Sequence, residues 1–320
     1  MRSAGKPLLA VQDLTVTFPA GGGRKVQAVS GVSFDVKKGE TLGLVGESGC
    51  GKSSTARAVV QLLRPAGGNV FFMGHELTAL RRKRLRRLRP QFQMIFQDSF
   101  AALNPRRCVG EAIAAPLAVM KAGTCRERTR RAKEMMERVG IPPDDYYCLP
   151  HEFSGGQCQR IQIARALISQ PRLLICDEPV SSLDVSIQAQ ILNLLEEVRR
   201  AYDLTLLFIS HDLAVVKNVS DRVAVMYMGR LCEIGPSESI YRQPAHPYTH
   251  ALLSAVYRFN TQSQMAPASS IQSEIPSPLS PPSGCRFRPR CSRSSWLCGE
   301  QIPLLQDVDA EHQAACHHPL

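Results

Sequence analysis

The chain has 320 residues, is 44% hydrophobic, and carries 39 Lys and Arg against 28 Asp and Glu, a net charge of +11. This length supports one large domain or two modest ones, and the ordinary apolar and charged fractions exclude wholesale disorder. No apolar run approaches the roughly 18 residues of a membrane-spanning helix, and MRSAGKPLLAVQDLTV enters strand pattern without a signal-peptide block, so a cytosol-facing protein without a membrane span is expected.

Residues 8–18 (LLAVQDLTVTF) and 26–36 (VQAVSGVSFDV) alternate apolar and polar positions across the turn-rich PAGGGRK, which predicts antiparallel strands. Thr41–Val45 is almost wholly apolar, as in a buried parallel strand, and a Gly-rich turn and a helix from Ser53 to about Leu63 follow. Seven of the nine residues in Arg81–Arg89 are basic. That stripe suits membrane subunits, anionic headgroups or plain solvent. It lacks interleaved aromatics that stack on bases, so nucleic acid is not an expected partner.

Residues 109–140 read as helices ended by Pro142-Pro143, and the strands Leu173–Cys176 and Leu204–Ser210 flank a helix over 186–201. Strand–helix–strand alternation predicts an α/β domain with a parallel sheet. Residues 261–284 hold 7 Ser and 5 Pro and read as a linker, leaving 285–320 as a short Cys-rich region.

Gly46-Glu47-Ser48-Gly49-Cys50-Gly51-Lys52-Ser53, followed by Ser54, fits G-x-x-x-x-G-K-[ST] between a predicted strand and a predicted helix. Glycines let the backbone N–H groups turn inward on phosphate, Lys52 supplies a point charge, and the Ser53 hydroxyl suits Mg²⁺. Asp177 and Glu178 end an apolar strand, where ligands bind in open α/β folds. Asp177 is expected to reach Mg²⁺ through water, and Glu178 to orient or deprotonate the hydrolytic water. Phe153-Ser154-Gly155-Gly156-Gln157 precedes another helix and again offers backbone N–H groups to a phosphate, which implies a shared site.

Together these motifs resemble the ATP-binding subunit of an ABC transporter across about residues 8–260. The resemblance implies an ABC-type nucleotide-binding domain over 1–260, with a P-loop parallel-sheet core, an antiparallel β subdomain and a helical subdomain at about 98–157. It makes Ser154–Gln157 the signature motif that completes the opposite subunit's site in a head-to-tail dimer. Gln97 becomes the Q-loop residue and an Mg²⁺ ligand, Ser182-Leu183-Asp184 the D-loop, His211 the switch histidine, and Phe18 the aromatic stacked on adenine. Cys158 departs from the basic residue common after the signature, and Ser99 from a usual Pro. Neither removes a catalytic group.

QDSFAALNPR, DEPVSSLDVSIQAQILNLL and QPAHPYTHALLSA resemble the oligopeptide/dipeptide/nickel branch of importers. That resemblance implies hydrolysis of ATP with Mg²⁺ and peptide uptake. The implied partners are a second ATPase subunit (a paralogue or a second copy), two permease subunits and an extracytoplasmic solute-binding protein, at the cytoplasmic face of the cell membrane. Nickel or another small solute stays open as cargo, and a non-transport ABC-type ATPase lacks the coiled-coil insertion or second cassette it generally needs. The tail spacing Cys285-x₅-Cys291-x₆-Cys298-x₁₇-Cys316 suggests a metal staple for a segment too small for its own core. Zinc, a [4Fe–4S] cluster as in some peptide-importer ATPases, and four unliganded thiols all remain open readings.

Overall fold

The computed structural model describes residues 6–260 and 276–320, so most of the 261–284 linker lies outside the described residues. The chain divides into two compact units, 1–78 with 210–320 and 79–209. In the first, strands β1 (Leu9–Pro19) and β2 (Lys25–Val36) pair antiparallel, with Leu9 opposite Val36 and Phe18 opposite Val26. The alternation read from the sequence buries Leu9, Val11, Leu14 and Val16, while the intervening positions are less buried. Strand β3 (Thr41–Val45) is buried at every residue, helix α1 spans Lys52–Val59, and β4 (Gly67–Phe72) and β5 (His75–Glu76) complete the antiparallel sheet in the order β2-β1-β4-β5.

The second unit begins with α2 (Arg82–Leu88) and β6 (Phe92–Ile95), then α3 (Val109–Met120) and α4 (Cys125–Arg138). The predicted helical stretch thus breaks at Lys121, which is left-handed at φ 55°. It restarts where Thr124 and Glu127 cap each other, the Thr124 N–H donating to Glu127 Oε2 at 2.6 Å. Helix α5 (Gly155–Leu167), β7 (Leu173–Asp177), α6 (Val185–Tyr202) and β8 (Thr205–Ser210) follow. Strands β6, β7 and β8 are parallel, with Ile95 opposite Cys176 and Asp177 opposite Ile209.

Returning to the first unit, α7 (Leu213–Val219) leads into β9 (Arg222–Tyr227) and β10 (Arg230–Pro236). Helices α8 (Ser237–Arg242) and α9 (Pro247–Asn260) precede the undescribed stretch; α10 (Leu297–Glu300), β11 (Gln306–Asp309) and β12 (His312–Ala314) close the chain. Strand β9 runs parallel to β3, with Val225 opposite Val45. Strand β12 pairs antiparallel with β10, with Ala314 opposite Glu233, so the C-terminal region joins this sheet.

Beneath that pairing Glu233 is fully buried and accepts from the Ala245 N–H at 2.6 Å and the His246 N–H at 3.0 Å, with His312 Nε2 at 2.7 Å. His246 is itself buried, and its Nδ1 accepts from the Tyr248 N–H at 3.0 Å. Burial pushes its imidazolium down to about 4, against a smaller opposing pull from Glu233. A neutral His246 contributes stability that is complete above the ordinary histidine value near 6.5 and is lost as pH falls through 4. Urea unfolding at stepped pH should therefore show a decline of up to about 3 kcal/mol across that window, and His246→Asn, which keeps an acceptor near Nδ1, should flatten it.

Candidate functional site

The phosphate-loop motif opens where β3 ends, at Gly46, and closes in the first turn of α1. It is wrapped too tightly for side chains at two points. A Cβ on Gly46 would stand 2.1 Å from the Met226 carbonyl oxygen, and one on Gly51 would stand 2.2 Å from that of Ala28, at φ 107°. Lys52 is buried and its ammonium donates to the carbonyls of Gly46 at 2.8 Å and Glu47 at 3.0 Å, across the mouth of the loop. The Gly229 N–H donates to the Cys50 carbonyl at 2.7 Å, so the β9–β10 turn braces the loop from behind. Cys50 is buried and its thiol is pushed up by that burial, although Lys52 pulls the other way. Ser48 and Gly49 are exposed, and Ser53 and Ser54 half-buried.

In the same unit Phe18 ends β1 with 38% of its surface exposed, available as a flat apolar face rather than used as core. His211 is exposed between β8 and α7, and its neighbour Asp212 caps α7 by accepting from the Ala214 N–H at 2.8 Å.

In the second unit, parallel register brings the carboxylate end of β7 beside the end of β6. Gln97 lies two residues past Ile95, and its Nε2 donates to Glu178 Oε2 at 3.0 Å. Asp177 is fully buried at the last position of β7. Glu178, at φ 47°, turns out of the strand, and its N–H donates to the Ile209 carbonyl at 3.0 Å. A left-handed non-glycine costs about 1 kcal/mol or more and persists only where surrounding contacts hold it. Here that turn aims one carboxylate outward beside an amide while its neighbour stays buried.

Ser154 caps α5 through a reciprocal pair, the Gln157 N–H donating to Ser154 Oγ at 3.3 Å and the Ser154 N–H to Gln157 Oε1 at 2.9 Å. Of its two glycines, Gly155 has only ordinary contacts at its Cβ position, whereas a Cβ on Gly156 would meet Ile187 Cγ2 at 2.6 Å. The second glycine is therefore also a packing residue against α6, a role the sequence did not disclose. Cys158 is fully buried and burial pushes its thiol up to about 11; it serves as core, not as a replacement for a charge. Residues 184–186 are exposed, with Asp184 the N-cap of α6 and Val185 83% exposed.

The basic stripe forms α2, with only Leu85 of that helix buried. Lys83, Arg86, Arg87 and Arg89 line a groove of about 790 Å³ whose apolar side includes Val119 and Met120 of α3.

Residues 285–290 pack behind the phosphate loop, and nothing in the sequence pointed there. Arg290, its side chain 4% exposed, grips Glu47 with both terminal nitrogens, at 2.8 Å to Oε2 and 3.0 Å to Oε1. Arg286 donates to the Met228 carbonyl and to Ser30 Oγ. Phe287 is buried with its ring centroid 5.4 Å from that of Tyr227 and 5.3 Å from that of Tyr248. The Arg-Phe-x-x-Arg spacing was visible in the sequence, but nothing there named Glu47 as its partner.

The metal reading of the tail finds no support among the described residues. The four thiols do gather: the Cys285 N–H donates to the Cys298 carbonyl at 2.7 Å, and Cys316 is pushed up to about 11 by burial, with the other three thiols adding to it. Yet among the described residues no group of three or more His, Cys, Asp or Glu is arranged to hold a metal ion. Neither iron–sulfur nor zinc ligation by Cys285, Cys291, Cys298 and Cys316 is supported. The segment is fastened instead by buried arginines, an aromatic cluster and strand pairing with β10.

Comparison with known proteins matches residues 29–181 to the family model described as ABC transporter, and residues 232–298 to that of the oligopeptide/dipeptide transporter C-terminal region. The chain is 47% identical over 318 residues to the oligopeptide transport ATP-binding protein AppF of Bacillus subtilis, covering 97% of both. It is 47% identical to OppF of Escherichia coli over 97% of this chain and 96% of that one. It is 44% identical to the di/tripeptide transport ATP-binding protein DppF of Pseudomonas aeruginosa over 97% of both. Among solved structures, a post-hydrolysis dimer of the ATP-binding cassette MJ0796 bound to ADP and Pi superposes with a TM-score of 0.66 at 26% identity, covering 72% of this chain and 98% of that one. Clostridium perfringens cbiO1, part of the transporter complex cbiONQ, gives 0.64 at 28% identity, covering 73% and 90%.

Proposed function

We propose, for a chain that belongs to the ATP-binding subunits of oligopeptide/dipeptide ABC transporters, that it hydrolyses ATP to drive peptide uptake through separate membrane subunits. The observation that carries the hydrolytic reading is the Gln97–Glu178 pair at 3.0 Å beside the buried Asp177.

In this reading the backbone of Gly46–Ser53 and the Lys52 ammonium receive the β- and γ-phosphates, and Phe18 takes the adenine. Mg²⁺ prefers hard oxygen donors, and the Ser53 hydroxyl, the Gln97 amide oxygen and the Asp177 carboxylate would each supply one. When bound, Mg²⁺ neutralises charge on the phosphate oxygens. Glu178 accepts a proton from the attacking water, while Gln97 fixes its carboxylate through the Nε2 hydrogen bond. His211 would contact the γ-phosphate as the switch histidine. Ser154–Gln157 and Asp184 act on the nucleotide of a second ATPase subunit, a paralogue or another copy. The capped start of α5 suits that role, because its first N–H groups point out of the helix.

The groove beside α2 is read as a contact for a membrane subunit that presents acidic and apolar side chains, complementary to its basic rim and its Val119–Met120 side. Among the described residues no helix is long and apolar enough to cross a membrane. Separate permease subunits and a peripheral position on the cytoplasmic face of the cell membrane complete this reading.

Three measurements test it. Glu178→Gln should keep nucleotide affinity within about threefold of wild type while steady-state hydrolysis falls by roughly 10²-fold or more, since only proton acceptance is removed; near-normal turnover would take Glu178 out of that role. Ser154→Arg should abolish hydrolysis in the assembled dimer yet leave the monomer's ATP affinity intact, whereas full activity in a diluted monomer would remove the second subunit from the mechanism. Arg86→Glu with Arg87→Glu should prevent co-purification with the permease subunits and leave ATP binding by the isolated chain unaltered.

A further inference from the structure

Glu47 is an anionic residue inside a loop built to receive a polyphosphate. Coulomb repulsion between its carboxylate and the nucleotide opposes binding unless that charge is cancelled and held aside. Every polar group of Glu47 described in the structure is engaged. Its N–H donates to the Tyr248 hydroxyl at 3.1 Å, its carbonyl accepts from Lys52 at 3.0 Å, and its carboxylate takes the paired Arg290 bonds at 2.8 and 3.0 Å. Arg290 is clamped in turn. It donates to the Tyr227 hydroxyl at 3.2 Å, and its guanidinium lies 5.7 Å from the Tyr227 ring centroid and 5.9 Å from that of Phe287.

Burial works against the Arg290 charge, but the hydrogen bonds it donates to Glu47 and Tyr227 outweigh it and keep the guanidinium protonated. A paired fork of this kind fixes direction as well as charge. The adjoining cavity, about 170 Å³, is lined from one side by Glu47, Ser48 and Cys50 and from the other by Pro278, Pro281 and Arg286, so the C-terminal region covers the outer face of the loop.

We propose that Arg290 is a positioning residue for ATP, by which the C-terminal region cancels the Glu47 charge and holds that carboxylate aside from the phosphates. The inference rests on the ATPase reading above and extends it, because it makes nucleotide affinity a property of residues far along the chain from the motif.

The test is equilibrium binding of ATP, ADP and adenosine to the full chain, with thermal unfolding as a check on folding. Arg290→Met leaves a carboxylate uncancelled beside the phosphates. It should weaken ATP about tenfold or more, ADP less, and adenosine not at all, a grading with ligand charge that follows from Coulomb repulsion. Glu47→Gln, which removes the charge and keeps the loop backbone, should tighten ATP by about threefold. The double variant Glu47→Gln/Arg290→Met should return ATP to within about threefold of wild type, since removing both charges leaves neither unpaired. An Arg290→Met chain that binds ATP like wild type, or that loses all three ligands equally without rescue in the double variant, would overturn the proposal. Should Arg290→Met fail to fold, the double variant and Glu47→Gln decide the matter, because ATP binding that falls about tenfold in either one has the wrong sign. A wild-type chain that binds no ATP would instead sink the ATPase reading, and the proposal with it.

Discussion

The close approach of the phosphate loop to the backbone around it is the constraint on which the candidate site depends. Gly46 and Gly51 stand where any side chain would strike the carbonyl oxygens of Met226 and Ala28. The β9–β10 turn then closes the brace, Gly229 donating to Cys50 while its own carbonyl accepts from the Ser30 N–H at 2.8 Å. The N–H groups that must face a phosphate are thus oriented by strands remote in sequence. Glycine is required because backbone, which cannot yield like a flexible side chain, occupies the space.

A second ordering principle acts in the other compact unit. Parallel strands in register end together, so residues just past Ile95 and Asp177 become neighbours without any loop having to find them. Burial of Asp177 and the left-handed turn at Glu178 then divide two adjacent carboxylates into a sequestered one and an outward one. Two acids adjacent in sequence thereby acquire different surroundings, one buried and one turned outward.

The C-terminal region shows the same economy. A short polar segment does not build a core of its own, but it shares one already present, with Phe287 among Tyr227, Tyr248 and His246. Strand β12 continues a sheet whose next strand, β10, already carries the buried Glu233 that His312 completes. Docking of this type accounts for the order of the tail through contacts that burial makes worthwhile, and it ties the end of the chain to the loop at its beginning.

The sequence by itself determined the α/β class, the order of strands and helices, and the residues of the nucleotide motifs, because each of those is written in local spacing. Strand alternation, an all-apolar buried strand and Gly-rich turns before helices are short-range patterns with short-range causes. Tertiary structure alone decided three things: that Gly156 packs on Ile187, that Cys158 is core, and that Arg290 answers Glu47 from 243 positions away. Contacts between distant residues depend on which surfaces the folded chain brings together, and local spacing carries no record of that choice.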